Sequence, residues 1–317
     1  MGSSVDIAVV VPTHRRPGSL RRLLGGLAEQ TLPAARWEAV VVDDGSDEAE
    51  AGAIDEMTAR LPIRSRVIHL RPAGGPARAR NHGWRATDAP LLAFIDDDCV
   101  PRPSWLEAGL GPFDRPEVGV VQGPTVTPEG SETYSYTPFT VVRQVLAPSP
   151  WFEGCNIFYR RAALQAAGGF DESFGTFPGG EDTNLGWSVL GAGWEREWAD
   201  QAVVEHELGE RSWTWHLRFH WLEGNTVRLA ARHPEIRRSF WRPWAVKREN
   251  ALFAAAVAGT LAGVRFRPAV LAAAPYLLWL APGRKVGAAG AALQVSAHAA
   301  SLCGKLLAGL HERTLLL

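Results

Sequence analysis

Cysteine is scarce in this 317-residue chain: Cys99, Cys155 and Cys303 are far apart and in no CxxC or Cys/His spacing. That excludes a disulfide framework and the common structural zinc patterns, and free thiols fit a reducing cytoplasm. Net charge is nearly absent too, −1 at pH 7, so bulk electrostatics predicts no nucleic-acid partner. Long hydrophobic runs are missing: the apolar stretches 251–264 and 268–283 each fall short of the roughly 20 residues a spanning helix needs. No basic region precedes the first apolar run, which ends at Pro12, so it reads as a strand rather than a signal peptide.

What is present is an ordinary globular balance, 46% hydrophobic and 21% charged, which argues against disorder. Short β-branched runs alternate with helical patterns through the first 130 residues. "VDIAVVVPT" (5–13), "WEAVVVDDGS" (37–46), "RSRVIHLRP" (64–72), "APLLAFIDDD" and "VGVVQGPTVT" read as strands, and Leu20, Leu23, Leu24 and Leu27 fall at helical spacing. Such alternation predicts an α/β fold with a mostly parallel sheet flanked by helices. Ligands then bind beyond the carboxyl ends of the strands, where this chain carries "PTHRR", "DDGSD" and "DDDCV". Three adjacent carboxylates, Asp96, Asp97 and Asp98, repel one another, so a positive charge is expected among them. A second strand–helix passage, "WFEGCNIFYRRAAL", is followed by glycines and a helix beginning near Glu181.

Taken in order, "VVVPTHRR", "VVVDDGSDE", "GGPARARNHG", "FIDDDC", "GCNIFYRR", "GGFDESF" and "GGEDTNLGWSVLGAGW" resemble the family 2 glycosyltransferases, over roughly residues 5 to 206. The resemblance implies a GT-A fold over residues 1–210 and inverting transfer of a sugar from a nucleoside diphosphate donor (UDP, dTDP or GDP) to an acceptor hydroxyl. It implies a divalent cation, Mn²⁺ or Mg²⁺, held by oxygen ligands at the DxD position. Asp98 and Asp96 are then metal ligands, with His206 as a third. Asp96 also lies near the ribose. Asp97, grouped with the nucleotide-binding residues, is turned the other way by the alternation of an extended segment. Asp44 reads the nucleobase with Asp43 close by, Pro12, Thr13 and Arg15 hold base and ribose, and Arg80 supports the diphosphate through charge-assisted hydrogen bonds. Arg78 and Arg80 cannot both face the site from one helix, so Arg78 reads as solvated.

For the reaction itself the resemblance implies Asp182 as general base, with Glu181 assisting. At a helix start the dipole would favour its ionised form. Gly154 and Asn156 would lie beneath the sugar, with Trp187 on the sugar and acceptor side. Residue 184 is Asn where the family often shows an acid.

Beyond residue 210 two segments are expected: a Trp/Arg-rich helical stretch, 211–250, and an apolar helical tail, 251–317. Basic residues interleaved with Trp241 and Trp244 suit an anionic membrane surface, which would hold the enzyme at the inner face of the cell membrane near a lipid-linked acceptor. The competing reading is a soluble appendage or homodimer interface, consistent with a mean hydropathy of −0.08. Two other functional classes stay open: a metal-dependent phosphatase or nucleotidyltransferase, and a non-catalytic sugar-nucleotide-binding membrane scaffold. The nucleotidyltransferase form needs a Gly-rich GxGTR loop near the first strand, which is not found here.

Overall fold

The computed structural model describes residues 5–131, 134, 136–177, 179–280 and 287–317. The end of the second apolar run, within 281–286, lies outside the described residues. The chain forms two compact units, Met1–Tyr134 with Val142–Leu208, and Ser135–Val141 with Gly209–Leu317.

The strands are β1 (Ile7–Thr13), β2 (Trp37–Asp44), β3 (Arg64–Leu70), β4 (Leu91–Ile95), β5 (Cys99–Pro101), β6 (Val118–Gln122), β7 (Thr125–Val126), β8 (Thr140–Val141), β9 (Asn156–Arg160), β10 (Glu195–Trp198), β11 (Val204–His206) and β12 (Gly209–Glu210). In the first unit a seven-stranded sheet runs β10-β6-β9-β4-β1-β2-β3. Every pairing in it is parallel except those of β9 with β4 and β6. Burial of β1 and β2 explains why neither is an edge strand: all eight residues of β2 are inside, including Val40, Val41 and Val42. Each such valine contributes about 1.5–3 kcal/mol when removed from water. This is the mostly parallel α/β arrangement the alternation predicts.

Helices α1 (Pro17–Ala28), α2 (Glu48–Ala59), α3 (Pro76–Arg85), α4 (Trp105–Leu110), α5 (Arg161–Ala166) and α6 (Glu181–Gly191) flank the sheet. Helix α1 starts with Pro17, whose fixed φ suits a first turn, and buries the predicted Leu20, Leu23, Leu24 and Leu27. Asp47 and Glu50 form a capping box on α2. Helix α3 lies so close to β1 that a Cβ on Gly83 would stand 2.3 Å from Val10 Cγ1. The junctions after β1 and β2 thus deliver strand ends and helix starts to one edge of the sheet.

The second unit holds α7 (Trp213–Trp221), α8 (Asn225–Arg232), α9 (Arg248–Gly263), α10 (Ala274–Leu280) and α11 (Ala288–Glu312), with β8 and β12 as a short antiparallel ladder. Its interior includes a polar cluster. Glu223 accepts hydrogen bonds from His220 Nδ1 (3.0 Å) and Ser301 Oγ (2.6 Å), with Lys247 and Lys305 ammonium groups at 3.6 and 3.5 Å. Burial would raise its pKa, yet the His220 hydrogen bond and the two lysine charges hold it well below the usual carboxylate range. Removing one member of a buried ion pair costs roughly 3–5 kcal/mol, so Glu223→Ala should lower the unfolding midpoint of this unit by many degrees. Because the folded-state pKa is depressed, this stabilisation is present above the unfolded Glu value and lost as pH falls from about 4.3. Denaturant unfolding of wild type and variant across acidic pH checks both statements.

Candidate active site

Strands β1, β2 and β4 end side by side, because Ile7 to Thr13 pair with Trp37 to Asp43 and Ile7 to Val10 with Leu91 to Phe94. At the end of β1 the chain turns sharply: Arg15 takes a left-handed φ of 54° and Pro17 opens α1. That turn leaves Arg15 exposed, its backbone N–H donating to Ser46 Oγ at 3.2 Å. It directs Arg16 back to the aspartates, 3.3 Å from Asp97 Oδ1 and 2.9 Å from Asp98 Oδ2. The positive charge expected among the aspartates is therefore in part the chain's own. Sequence reading chose Arg15 and missed Arg16; Pro17, which fixes the phase of the helix start, was the available signal. Thr13 Oγ1 donates to Asp97 Oδ2 at 2.7 Å. Asp97 is buried, and burial pushes its pKa up to about 6 against the opposing pull of Arg16. Pro12 is a half-buried β1 residue opposite Val42.

At the end of β2, Asp43 is wholly buried and accepts from the Ser46 backbone N–H (3.0 Å) and from His69 Nδ1 (2.8 Å). Burial would raise the Asp43 pKa, but these hydrogen bonds bring it below its ordinary value. Asp44 receives the backbone N–H groups of Gly74 (2.8 Å) and Gly75 (2.7 Å). Gly75 has φ +89°, and a Cβ there would lie 2.5 Å from Thr176 Cα, so this loop requires glycine. Both acids thus shape the β2 edge. His69, which also meets Asp55 at 3.0 Å, carried no motif in the sequence.

The β4 end runs into β5, which pairs antiparallel with β11 so that Cys99 faces His206 across the ladder. This register brings His206 to Asp98, with Nε2 3.5 Å from Asp98 Oδ1. His206 Nδ1 lies 2.9 Å from the Glu207 carbonyl, which can only accept, so Nδ1 carries the proton. Nε2 is thus the ring nitrogen turned toward Asp98, the arrangement of histidines that ligate metals. Asp98, Cys99 and His206 offer ligand atoms within 4.8 Å of one another. The donor set fits a divalent cation through the Asp98 oxygen and the His206 nitrogen. Burial raises the Cys99 pKa well above the ordinary thiol value, and a neutral thiol is a poor ligand.

Asp96, first of the three aspartates and about 31% exposed, is gripped by Arg80, whose Nη2 lies 2.7 Å from Asp96 Oδ1. The other terminal nitrogen of Arg80 reaches Glu181 Oε1 at 3.0 Å. Arg80 is itself buried, under Gly154, where a Cβ would come 3.1 Å from Nη2. It ties the β4 end to the head of α6, across 101 positions of sequence, rather than standing open to solvent. Arg78 turns the opposite way and donates to the Pro72 carbonyl at 2.8 Å.

Asp182 opens α6 beside that bridge, its carboxylate accepting from Gly154 N–H (3.0 Å) and Thr183 N–H (2.8 Å). Burial and the charge of Glu181 raise the Asp182 pKa to about 7, outweighing Arg80 and the two backbone hydrogen bonds. A carboxylate poised near neutrality is well matched to accepting a proton. Asn156 is buried and spends its amide inside the unit, accepting from Trp105 Nε1 (2.8 Å) and donating to the carbonyls of Pro124 and Ala202 (2.8 Å each). Trp187 donates to the Pro150 carbonyl (2.9 Å) and packs edge-on against Phe152. Of the predicted sugar-side residues, Gly154 alone lies against Arg80 and Asp182.

The family model described as "Glycosyl transferase family 2" matches residues 8–168, and "Glycosyl transferase family group 2" matches 91–282. The chain belongs to glycosyl transferase family 2. It is 32% identical over 248 residues to a pre-mycofactocin glycosyltransferase of Mycobacterium tuberculosis, covering 73% of this chain and 48% of that protein. It is 30% identical over 217 residues to a validoxylamine A glucosyltransferase of Streptomyces hygroscopicus subsp. jinggangensis, covering 58% and 51%. The chain thus spans about half the length of these relatives. Its fold is that of a mannosyltransferase from Pyrobaculum calidifontis solved with GDP-Man and Mn²⁺ (TM-score 0.63, 20% identity, 94% of this chain and 87% of that one). Both the fold and the family match the resemblance in the motifs, and the phosphatase and nucleotidyltransferase readings have no remaining support.

Proposed function

We propose that this chain transfers a sugar, with inversion, from a nucleoside diphosphate donor to an acceptor hydroxyl. One observation carries the proposal: the Arg80 bridge joins the aspartate cluster that suits a donor and cation to the helix that presents Asp182. Asp98 and His206, with Asp96 nearby, would hold Mn²⁺ or Mg²⁺, which when bound neutralises diphosphate charge. Asp182 takes the proton of the acceptor hydroxyl as its oxygen attacks the anomeric carbon. The bond from that carbon to the diphosphate oxygen breaks on the opposite face, and the nucleoside diphosphate leaves with the electron pair. Asp43 and Asp44 shape the edge that receives the base, and Arg16 limits the repulsion among the aspartates before a donor arrives. Two relatives are named for pre-mycofactocin and validoxylamine A, so acceptors of that kind stand beside a polysaccharide or a lipid-linked saccharide. Calorimetric titration with UDP, dTDP, GDP and CMP, with and without Mn²⁺, tests the proposal. The expected result is Mn²⁺-dependent binding of one nucleoside diphosphate; binding of none to folded protein would sink it.

The second unit supports a membrane-surface role. No helix among the described residues is long and apolar enough to cross a bilayer. Yet from Leu261 to Leu278 the chain exposes Leu261, Val264, Phe266, Leu271 and Leu278, with Val264 at 90%. Arg265 and Arg267 stand among them, and residues 250–311 contain no acidic residue. An anionic lipid surface complements that pattern. Two copies meeting there would set arginine against arginine with no acid to pair them. Wild type should sediment with phosphatidylglycerol vesicles and less with phosphatidylcholine, and Phe266→Ser with Leu271→Ser should release it. Self-association without vesicle binding would favour the dimer instead.

A further inference from the structure

Arg143 carries no role in the motifs, and its setting is unusual. From Val142 to Leu146 exposure alternates: Val142, Gln144 and Leu146 face out, Arg143 is half-buried and Val145 is buried. The alternation is anchored where Val145 exchanges two backbone hydrogen bonds with Thr125, each 2.9 Å, and Gln144 reaches Thr127 on the outer side at 3.4 Å. Residues two apart on an extended segment share a side, so Arg143 points inward with Val145. There its charge acts on Cys155, Asp182, Glu153 and Asp96.

Those carboxylates have other partners. Glu153 accepts from Gln122 Nε2 (2.8 Å) and Ser149 Oγ (2.9 Å), Asp96 from Arg80, and Asp182 from Gly154 and Thr183. Arg143 makes no hydrogen bond or ion pair among the described residues, and its nitrogens are reachable from solvent. The other two arginines at the site are committed, Arg16 to Asp97 and Asp98, and Arg80 to Asp96 and Glu181. An inward guanidinium with unclaimed donors suits a two-oxygen anion.

We infer that Arg143 binds the diphosphate of the donor and holds the negative charge that grows on it as the sugar is transferred. The inference rests on the proposed transfer, in which the departing diphosphate is the one anion every turnover brings to the site. It also moves the diphosphate-binding role from Arg80, whose terminal nitrogens are taken, to a residue with open ones. Preorganised charge aimed at a leaving group lowers the barrier to its departure.

The test is calorimetry of Arg143→Gln and Arg143→Lys with the nucleoside diphosphate that wild type binds, and with the matching monophosphate. A hydrogen bond between charged groups is among the stronger ones, so Arg143→Gln should weaken diphosphate binding by roughly 10-fold or more. Monophosphate binding should change less than about 2-fold, Arg143→Lys should recover part of the loss, and kcat should fall with the acceptor KM unchanged. Equal weakening of both nucleotides, no weakening of either, or a rise confined to the acceptor KM would overturn the inference while leaving the transfer intact. Wild type that binds no nucleoside diphosphate would overturn both.

Discussion

Asp182→Asn should abolish most turnover while leaving donor binding in place. A positioned general base contributes about 10²–10⁴-fold to rate, and the amide cannot take the acceptor proton. The wild-type pH profile should carry the same signature. With the Asp182 pKa near 7, the base is ionised above that value and protonated below it, so kcat/KM should rise with pH up to about 7 and then level. The acid limb should vanish in the variant's residual activity. The Gly154 and Thr183 N–H groups each donate to a different oxygen of the Asp182 carboxylate. An amide keeps one oxygen of the two and so loses one of these contacts, which makes thermal unfolding and nucleotide binding the controls. Full turnover with unchanged nucleotide binding would rule out this carboxylate as the base.

The second large effect belongs to Asp98. Asp98→Ala should erase the Mn²⁺-dependent part of nucleoside diphosphate affinity, by roughly 100-fold or more, beyond the 10–100-fold typical of losing an outer partner of a metal ligand. His206→Ala should cost less, because one nitrogen ligand is lost and the oxygen remains. The ordering separates a metal site from an acidic loop held by Arg16 alone. In the second case Mn²⁺ would have no effect in wild type, and removing Asp98 would merely leave the Arg16 guanidinium, already 41% exposed, with Asp97. Equal nucleotide affinity with and without Mn²⁺ in wild type would therefore refute the cation's role.

Much of the fold and part of the site were legible in the residues. Valine-rich runs and leucines at helical spacing act over a few positions, and they placed β1, β2, β4 and α1 within a few residues of where they lie. The acids at the ends of β2 and β4 were legible for the same local reason. Asp182 at the start of α6 was legible because glycines before an acidic pair and a helical stripe mark a helix start. The roles of Arg15 and Arg16 were not separable: a left-handed residue at Arg15 decides which guanidinium returns to the aspartates. Trp187 and Asn156 looked like sugar contacts because aromatic and amide groups suit sugars. The packing instead spends both inside the unit.

The sequence by itself determined the α/β class and the chain positions of the carboxylates, since both depend on short-range periodicity and turn chemistry, and its ordered motifs carried the resemblance to the family. Tertiary structure decided how those groups are charged and joined. His206 reaches Asp98 through the pairing of β5 with β11, and Arg80 reaches Glu181 from 101 residues away. Asp182 owes its pKa to burial beside a second carboxylate. Desolvation and Coulomb terms sum over neighbours from the whole unit, and such sums exist only once the chain has closed around them.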